Sequence, residues 1–223
     1  MSFLMNSSDS ETQPRVDRRR NEILEAAFDV FASKGFRDAT VADIAKQLRI
    51  GHGTVYRYFE NKHQLFNHVV QRVIERIAEA LSNEAPDASS DLASYRAQVR
   101  RIAEKLLSLL DSDPRAPKVL FIEASGVSPE MNHKLAGLWT VLGHLTEAYL
   151  INGKHKGFLR HDLDTMVTAL AINALIFEGG RQLVAERPLG PTRERWISGV
   201  MALMFDGISV PPVVNADALQ DKE

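Results

Sequence analysis

Residues 49–62 read RIGHGTVYRYFENK. Two glycines bracket one histidine, Gly51-His52-Gly53, and a short run carrying Tyr56, Arg57, Tyr58 and Phe59 follows at once. Glycine is a poor helix former, so a pair of glycines beside a helical-looking run marks a turn or a close backbone approach to something outside the chain. Upstream, Thr40 followed by Asp43 has the pattern of a capping box, and Ile44, Ala45 and Leu48 give the short helix after it one apolar side. Downstream, Val55 and Phe59 lie four apart and face inward from a third helix expected over 53–59, while His52 and Tyr56, also four apart, share its outer side.

Two short helices joined by a break of about four residues, the second rich in polar and aromatic groups, outline a helix-turn-helix. Such a motif sends its second helix into the major groove of DNA. On this reading Gly51 lets the chain turn, and Gly53 removes a side chain where the helix start must approach the groove. Hydroxyls and basic groups on the outer side suit phosphate oxygens, and His52 and Arg57 have the length to reach base edges.

The pattern to either side is helical throughout, with no run of alternating strand residues. Ile23, Ala26, Ala27, Val30 and Phe31 put one apolar face on a helix over 18–34, and Gly35 stands where a left-handed residue would end it. Asn61 can cap a fourth helix carrying Leu65, Val69, Val73 and Ile77. NEAPDASS, 83–90, reads as a connection. Helices are then expected over 91–110, 115–124, 129–155, 163–186 and 192–208, separated by proline- and glycine-containing breaks that include 188–191. The stretches 1–13 and 211–223 are expected to be disordered tails.

The 223 residues suffice for a sizeable core, and 44% hydrophobic with 25% charged residues is ordinary for a globular chain. The formal net charge of −2 hides an asymmetry. From Pro14 to Leu65 there are 10 Lys and Arg against 7 Asp and Glu, leaving 17 against 22 for the rest, so a basic lobe precedes an acidic body. The longest nearly apolar stretch, 167–177, is too short to cross a bilayer, and the polar N-terminus lacks the apolar centre of a secretory signal, so a cytoplasmic protein without membrane contact is expected. With no cysteine, disulfides and thiolate metal sites are excluded. His133, His144 and His155 recur every 11 residues, but neighbours about 16 Å apart on a helix cannot share one ion, so neither metal nor cofactor is expected.

The segment 18–66, with RRNEILEAAFDVFASKGFRDATVADIAKQL followed by GTVYRYFENKHQLF, resembles the DNA-binding domain of the tetracycline-repressor (TetR) family of bacterial transcriptional regulators. The resemblance covers about the first quarter to third of the chain. It implies an all-α fold of about nine helices, with a helix-turn-helix domain over 14–64 and a larger ligand-binding and dimerisation domain over 65–210. Carried over by position, His52, Gly53 and Arg57 become candidate base or groove contacts, and Thr40, Thr54, Tyr56, Tyr58 and Lys62 candidate phosphate contacts. Arg15, Arg18, Arg19 and Arg20 form an arm toward backbone or minor groove. The chain departs from the family at Arg49, where a turn glycine is usual, and at Gly51, where a serine-like cap is usual. The first implies backbone strain or a rearranged turn, and Arg49 becomes a further candidate DNA contact.

The resemblance further implies a homodimer built on the last two helices, with Phe177, Trp196, Val200, Leu203 and Met204 at the interface, reading a pseudo-palindromic operator on double-stranded DNA. It implies a small-molecule effector held among the middle helices, for which Phe121, Trp139, Leu142, Asn173 and Phe177 are candidate lining. Asn173 reads equally as a buried amide satisfied by its neighbours. The function expected is repression released by the effector. Activation within the same family, an enzyme using the second domain, and an interaction protein whose helix-turn-helix no longer reads DNA are the alternatives, though no nucleophile–base constellation or phosphate-cradling glycine loop supports the enzyme.

Overall fold

In the computed structural model the backbone is described for residues 8–184 and 192–208, and side chains for 16–182 and 192–205. All regular structure there is helical: α1 Ser8–Asp38, α2 Val41–Gln47, α3 His52–Tyr56, α4 Lys62–Leu81, α5 Leu92–Ser112, α6 Arg115–Lys118, α7 Pro129–His155, α8 Thr165–Val184 and α9 Arg193–Ile208. A π-helical turn, Val119–Glu123, continues α6.

Helix α1 starts at Ser8, well before the expected residue 18, so the backbone of residues 8–13 is helical where a disordered tail was expected. Residues 1–7, 185–191 and 209–223, with the tail and the 188–191 break expected on them, lie outside the described residues. Gly35 breaks α1 as expected: its φ of +81° and ψ of 158° suit glycine, and the chain resumes with one further helical turn to Asp38. Thr40 forms the anticipated capping box, its hydroxyl accepting from the Asp43 N–H while the Asp43 carboxylate accepts from the Thr40 N–H. The Lys34 ammonium, and then the Thr40 hydroxyl and N–H, hold the Asp43 carboxyl down to about 2. Asn61 caps α4 by accepting from the Gln64 N–H at 2.8 Å.

The chain divides into two compact units. The first comprises Met1–Ser82, Lys105–Leu138 and Phe177–Pro188; the second comprises Asn83–Glu104, Trp139–Ile176 and Leu189–Glu223. The boundary drawn between residues 64 and 65 falls inside α4, because α4 buries Leu65, Phe66, Val69, Val70 and Val73. Phe66 meets Phe31 edge to face at 5.0 Å and Phe36 at 4.7 Å, making an aromatic core between α1 and α4. In the second unit Tyr95 is buried against Phe158 and Phe205, and burial pushes its hydroxyl pKa up. The connection 83–91 is stitched down: Gln98 accepts from the Ser89 hydroxyl at 2.6 Å and donates to the Ala85 carbonyl at 2.8 Å, and Tyr149 donates to the Glu84 carbonyl.

Candidate nucleic-acid interface

Helices α2 and α3 are joined by a turn whose geometry is set at Arg49. The N–H of Arg49 reaches the Lys46 carbonyl at 3.1 Å and that of Ile50 the Ala45 carbonyl at 3.0 Å. This pair of bonds is a Schellman cap, and it requires a left-handed residue at Arg49. Arg49 has a φ of 56°, making it the one non-glycine with positive φ among the described residues. The strain anticipated from the missing glycine is therefore present. Gly51, to which the turn was attributed, has an ordinary φ of −69° and caps α3 without a side-chain bond. It starts the helix, while Arg49 turns the chain.

Helix α3 ends at Tyr56, shorter than expected, with Arg57 as its C-cap. Val55 and Phe59 are 1% and 2% exposed, as the four-residue spacing required. His52 and Tyr56 share the outer side, their rings edge to face at 6.4 Å, and Tyr56 is half exposed. Arg49, His52 and Arg57 are exposed and Thr54 and Tyr58 half-buried. None of these side chains makes a polar contact with another described residue. A Cβ on Gly53 would have nothing within 4 Å, and its backbone is helical, so nothing in the fold demands glycine there.

Other candidate contacts are committed elsewhere. The Lys62 ammonium donates to the carbonyls of Phe36, Arg37 and Ala39 at 2.8, 3.2 and 2.9 Å and lies over the Phe36 ring. A lysine has three donors, so Lys62 closes the end of α1 and has none left for a phosphate. Arg20 stacks its guanidinium over Phe59 and bonds the His68 ring, 3.1 Å from Nε2, which ties α1 to α4 rather than forming an arm. Burial, then the Arg20 charge, hold the His68 pKa below its ordinary value. Thr40 gives its one hydroxyl donor to Asp43 at 2.7 Å. Arg18 and Arg19 both pair with Glu22, at 3.6 and 2.7 Å. Arg15 lies in α1 with its side chain outside the described ones.

The segment from Asp113 to Glu123 grips α1 and α4. Arg115 binds Asp113 at 2.8 Å and Asp29 at 2.5 Å and lies over the Phe28 ring at 4.3 Å. Arg76 also reaches Asp113, and the Arg115 bond chiefly holds the Asp113 carboxyl below the usual carboxylate range. Glu123, at the end of the π turn, accepts from the Phe36 N–H at 2.8 Å, and a Cβ on Gly35 would sit 3.0 Å from its Oε2. This grip escaped the sequence reading, because Gly35 announces its φ but not the carboxylate 88 positions later.

The candidate effector residues fall in both units. In the first, Phe121 and Phe177 meet edge to face at 5.0 Å, and Gly180 admits Phe121 so closely that a Cβ would lie 2.4 Å from its ring. In the second, Asn173 accepts from the Thr146 hydroxyl at 2.9 Å, and its buried Nδ2 has no hydrogen-bond partner among the described residues. Trp139 and Leu142 are half-buried on α7. Of the candidate dimer residues, Leu203 is 63% exposed, and Phe177, Trp196 and Val200 are half-buried. Met204 is a correction: it is 5% exposed, turned inward beside Met201 and Phe205. Val167 and Leu170 of α8, which were not singled out for an interface, are exposed instead.

An all-helical chain that holds a short polar and aromatic helix outward after a capped partner helix has the architecture of a helix-turn-helix DNA-binding regulator. The family described as "Bacterial regulatory proteins, tetR family" matches residues 23–69. The fatty acid metabolism regulator protein of Bacillus subtilis is 26% identical over 157 residues, 70% of this chain and 79% of that one. The solved fatty acid degradation regulator FadR of Bacillus halodurans superposes with a TM-score of 0.70 at 23% identity, covering 84% of this chain and 98% of that one. FadR of Bacillus subtilis, solved in complex with stearoyl-CoA, gives 0.66 at 25% identity, covering 84% and 98%. Residues 23–69 thus carry the DNA-binding domain of the TetR family of bacterial regulatory proteins, and the all-helical fold around it is that of the solved regulators.

Proposed function

We propose that the protein is a homodimeric repressor that reads a pseudo-palindromic operator through α3 and is released by a small molecule. The observation that carries this reading is the contrast on one small domain: His52, Tyr56 and Arg57 are exposed with no polar partner, beside the buried Val55 of the same helix and the buried Phe59 just after it. His52 and Arg57 are assigned to base edges, and Thr54, Tyr56 and Tyr58 to phosphates. Dimerisation through α8 and α9 would cover Val167, Leu170 and Leu203. The 14–64 and 65–210 division is kept for function, the first segment reading DNA and the second responding to ligand.

The effector is assigned to the second unit, at the Asn173 amide, whose unpartnered donor suits an acceptor oxygen. Because the Bacillus subtilis regulator carries stearoyl-CoA, long acyl thioesters are the first class to screen. A ligand acts only by binding one arrangement of the DNA-reading helices better than another. Glu123 and Arg115 give α6 and the π turn a direct hold on α1.

The test is selection of DNA fragments from a random pool by the purified protein at two salt concentrations. An enriched inverted repeat whose retention falls steeply with salt is expected. Absence of enrichment, with weak retention at low salt, would overturn the reading. Release of the enriched fragment by added acyl-CoA identifies the effector class.

A further inference from the structure

Arg49 presents a contradiction within the fold. The Schellman cap that joins α2 to α3 needs a left-handed residue, and glycine adopts that conformation without the clash a Cβ brings. Arginine adopts it here at φ 56°, and in return its side chain gives the fold no polar contact. It stands exposed, three residues before the start of α3. A residue held in a sparsely populated conformation without compensation in the fold points to a use outside it.

Its surroundings narrow that use. Lys62 and Arg20, the cations that sequence alone would have placed on phosphates, are committed within the domain. Arg49 is not on the helix itself but in the turn that precedes it. A long side chain on an exposed turn is poorly fixed for bidentate base reading. It is well suited to a phosphate, which tolerates a range of approach angles and gains from charge alone.

We propose that Arg49 is a phosphate-contacting residue, one per subunit, that keeps the strained turn because the guanidinium anchors the edge of the recognition helix to the DNA backbone. This rests on the DNA-reading function proposed above. It assigns to Arg49 part of the affinity and none of the sequence preference.

The experiment compares the full-length wild type with Arg49→Gly, Arg49→Asn and Arg49→Lys by thermal unfolding and by titration of the selected operator at several salt concentrations. Asparagine tolerates the left-handed conformation without the charge, and lysine keeps the charge with the strain. Arg49→Gly is expected to raise the unfolding midpoint by about 2–4 °C. Both uncharged variants are expected to weaken binding by roughly tenfold or more, equally across operator variants. Each should lower the slope of log affinity against log salt by about 0.9 per lost contact, close to two for a dimer. Arg49→Lys should keep most of the slope.

Unaltered affinity and slope in Arg49→Gly overturn the proposal. So does lost affinity with an unaltered slope, the signature of a merely structural turn. A changed sequence preference overturns the phosphate assignment in favour of a base contact. Failure of the wild type itself to retain any operator is a different result, which removes the DNA-reading function and the proposal together.

Discussion

Within the first unit, two sets of polar side chains are used in opposite ways. At the junction of α1, α4 and α6, Lys62, Arg20, Arg115 and Glu123 are each bound to partners inside the domain. On α3 and just after it, His52, Arg57 and Tyr58 have no such partner. Apart from Glu123, both sets are basic or aromatic residues of the kinds that DNA-binding proteins use. The comparison teaches that residue type marks a candidate, while the destination of its donors decides between holding the domain and reaching outward.

Three substitutions would sharpen or break this contrast. The largest effect on folding is expected from Lys62→Ala, which strips three carbonyls at the end of α1 of their donor; urea denaturation should show a loss of about 2–3 kcal/mol. Operator affinity at saturating folded protein should then change little, and a selective loss of DNA binding with unchanged stability would return Lys62 to the phosphate contacts. Arg57→Ala is its opposite: stability within about 0.5 kcal/mol, and binding weaker by about 1–3 kcal/mol with altered preference at one operator position. Gly53→Ala should raise stability by about 0.5–1 kcal/mol, since the site is helical and open, yet weaken operator binding by crowding the groove. A Gly53→Ala protein that binds normally would show that α3 does not approach DNA there.

The smallest effect concerns His68. Because its pKa is lowered in the folded protein, its neutral form supports the fold, and that support is complete above the ordinary value near 6.5. As pH falls from there toward the folded value, the unfolded chain takes up the proton more readily and stability declines. Denaturation midpoints at pH 7.5 and 5.5 should differ more for the wild type than for His68→Gln. Equal differences would show that burial and the Arg20 charge do not hold the His68 pKa down.

What the sequence made legible was local. The Thr40 and Asn61 caps, the positive φ at Gly35, the inward Val55 and Phe59, and the strain at Arg49 each follow from a few consecutive residues. What it hid depends on distant parts of the chain. Lys62 reaches back 26 positions to Phe36, Arg20 reaches forward 48 to His68, and Glu123 lies 87 from Phe36. Met204 was misread for a related reason: on a helix apolar around much of its circumference, periodicity cannot say which side its own unit covers.

The reach of Glu123 and Arg115 bears on how this regulator can be recombined. Families of this architecture invite chimeras, in which the DNA-reading helices of one member are grafted onto the sensing helices of another. Here a splice after α4 would separate the Phe36 N–H from its carboxylate and the face of Phe28 from its guanidinium. The transplantable module is therefore discontinuous: helices α1 to α4 together with 113–123, carried as one piece or redesigned as one.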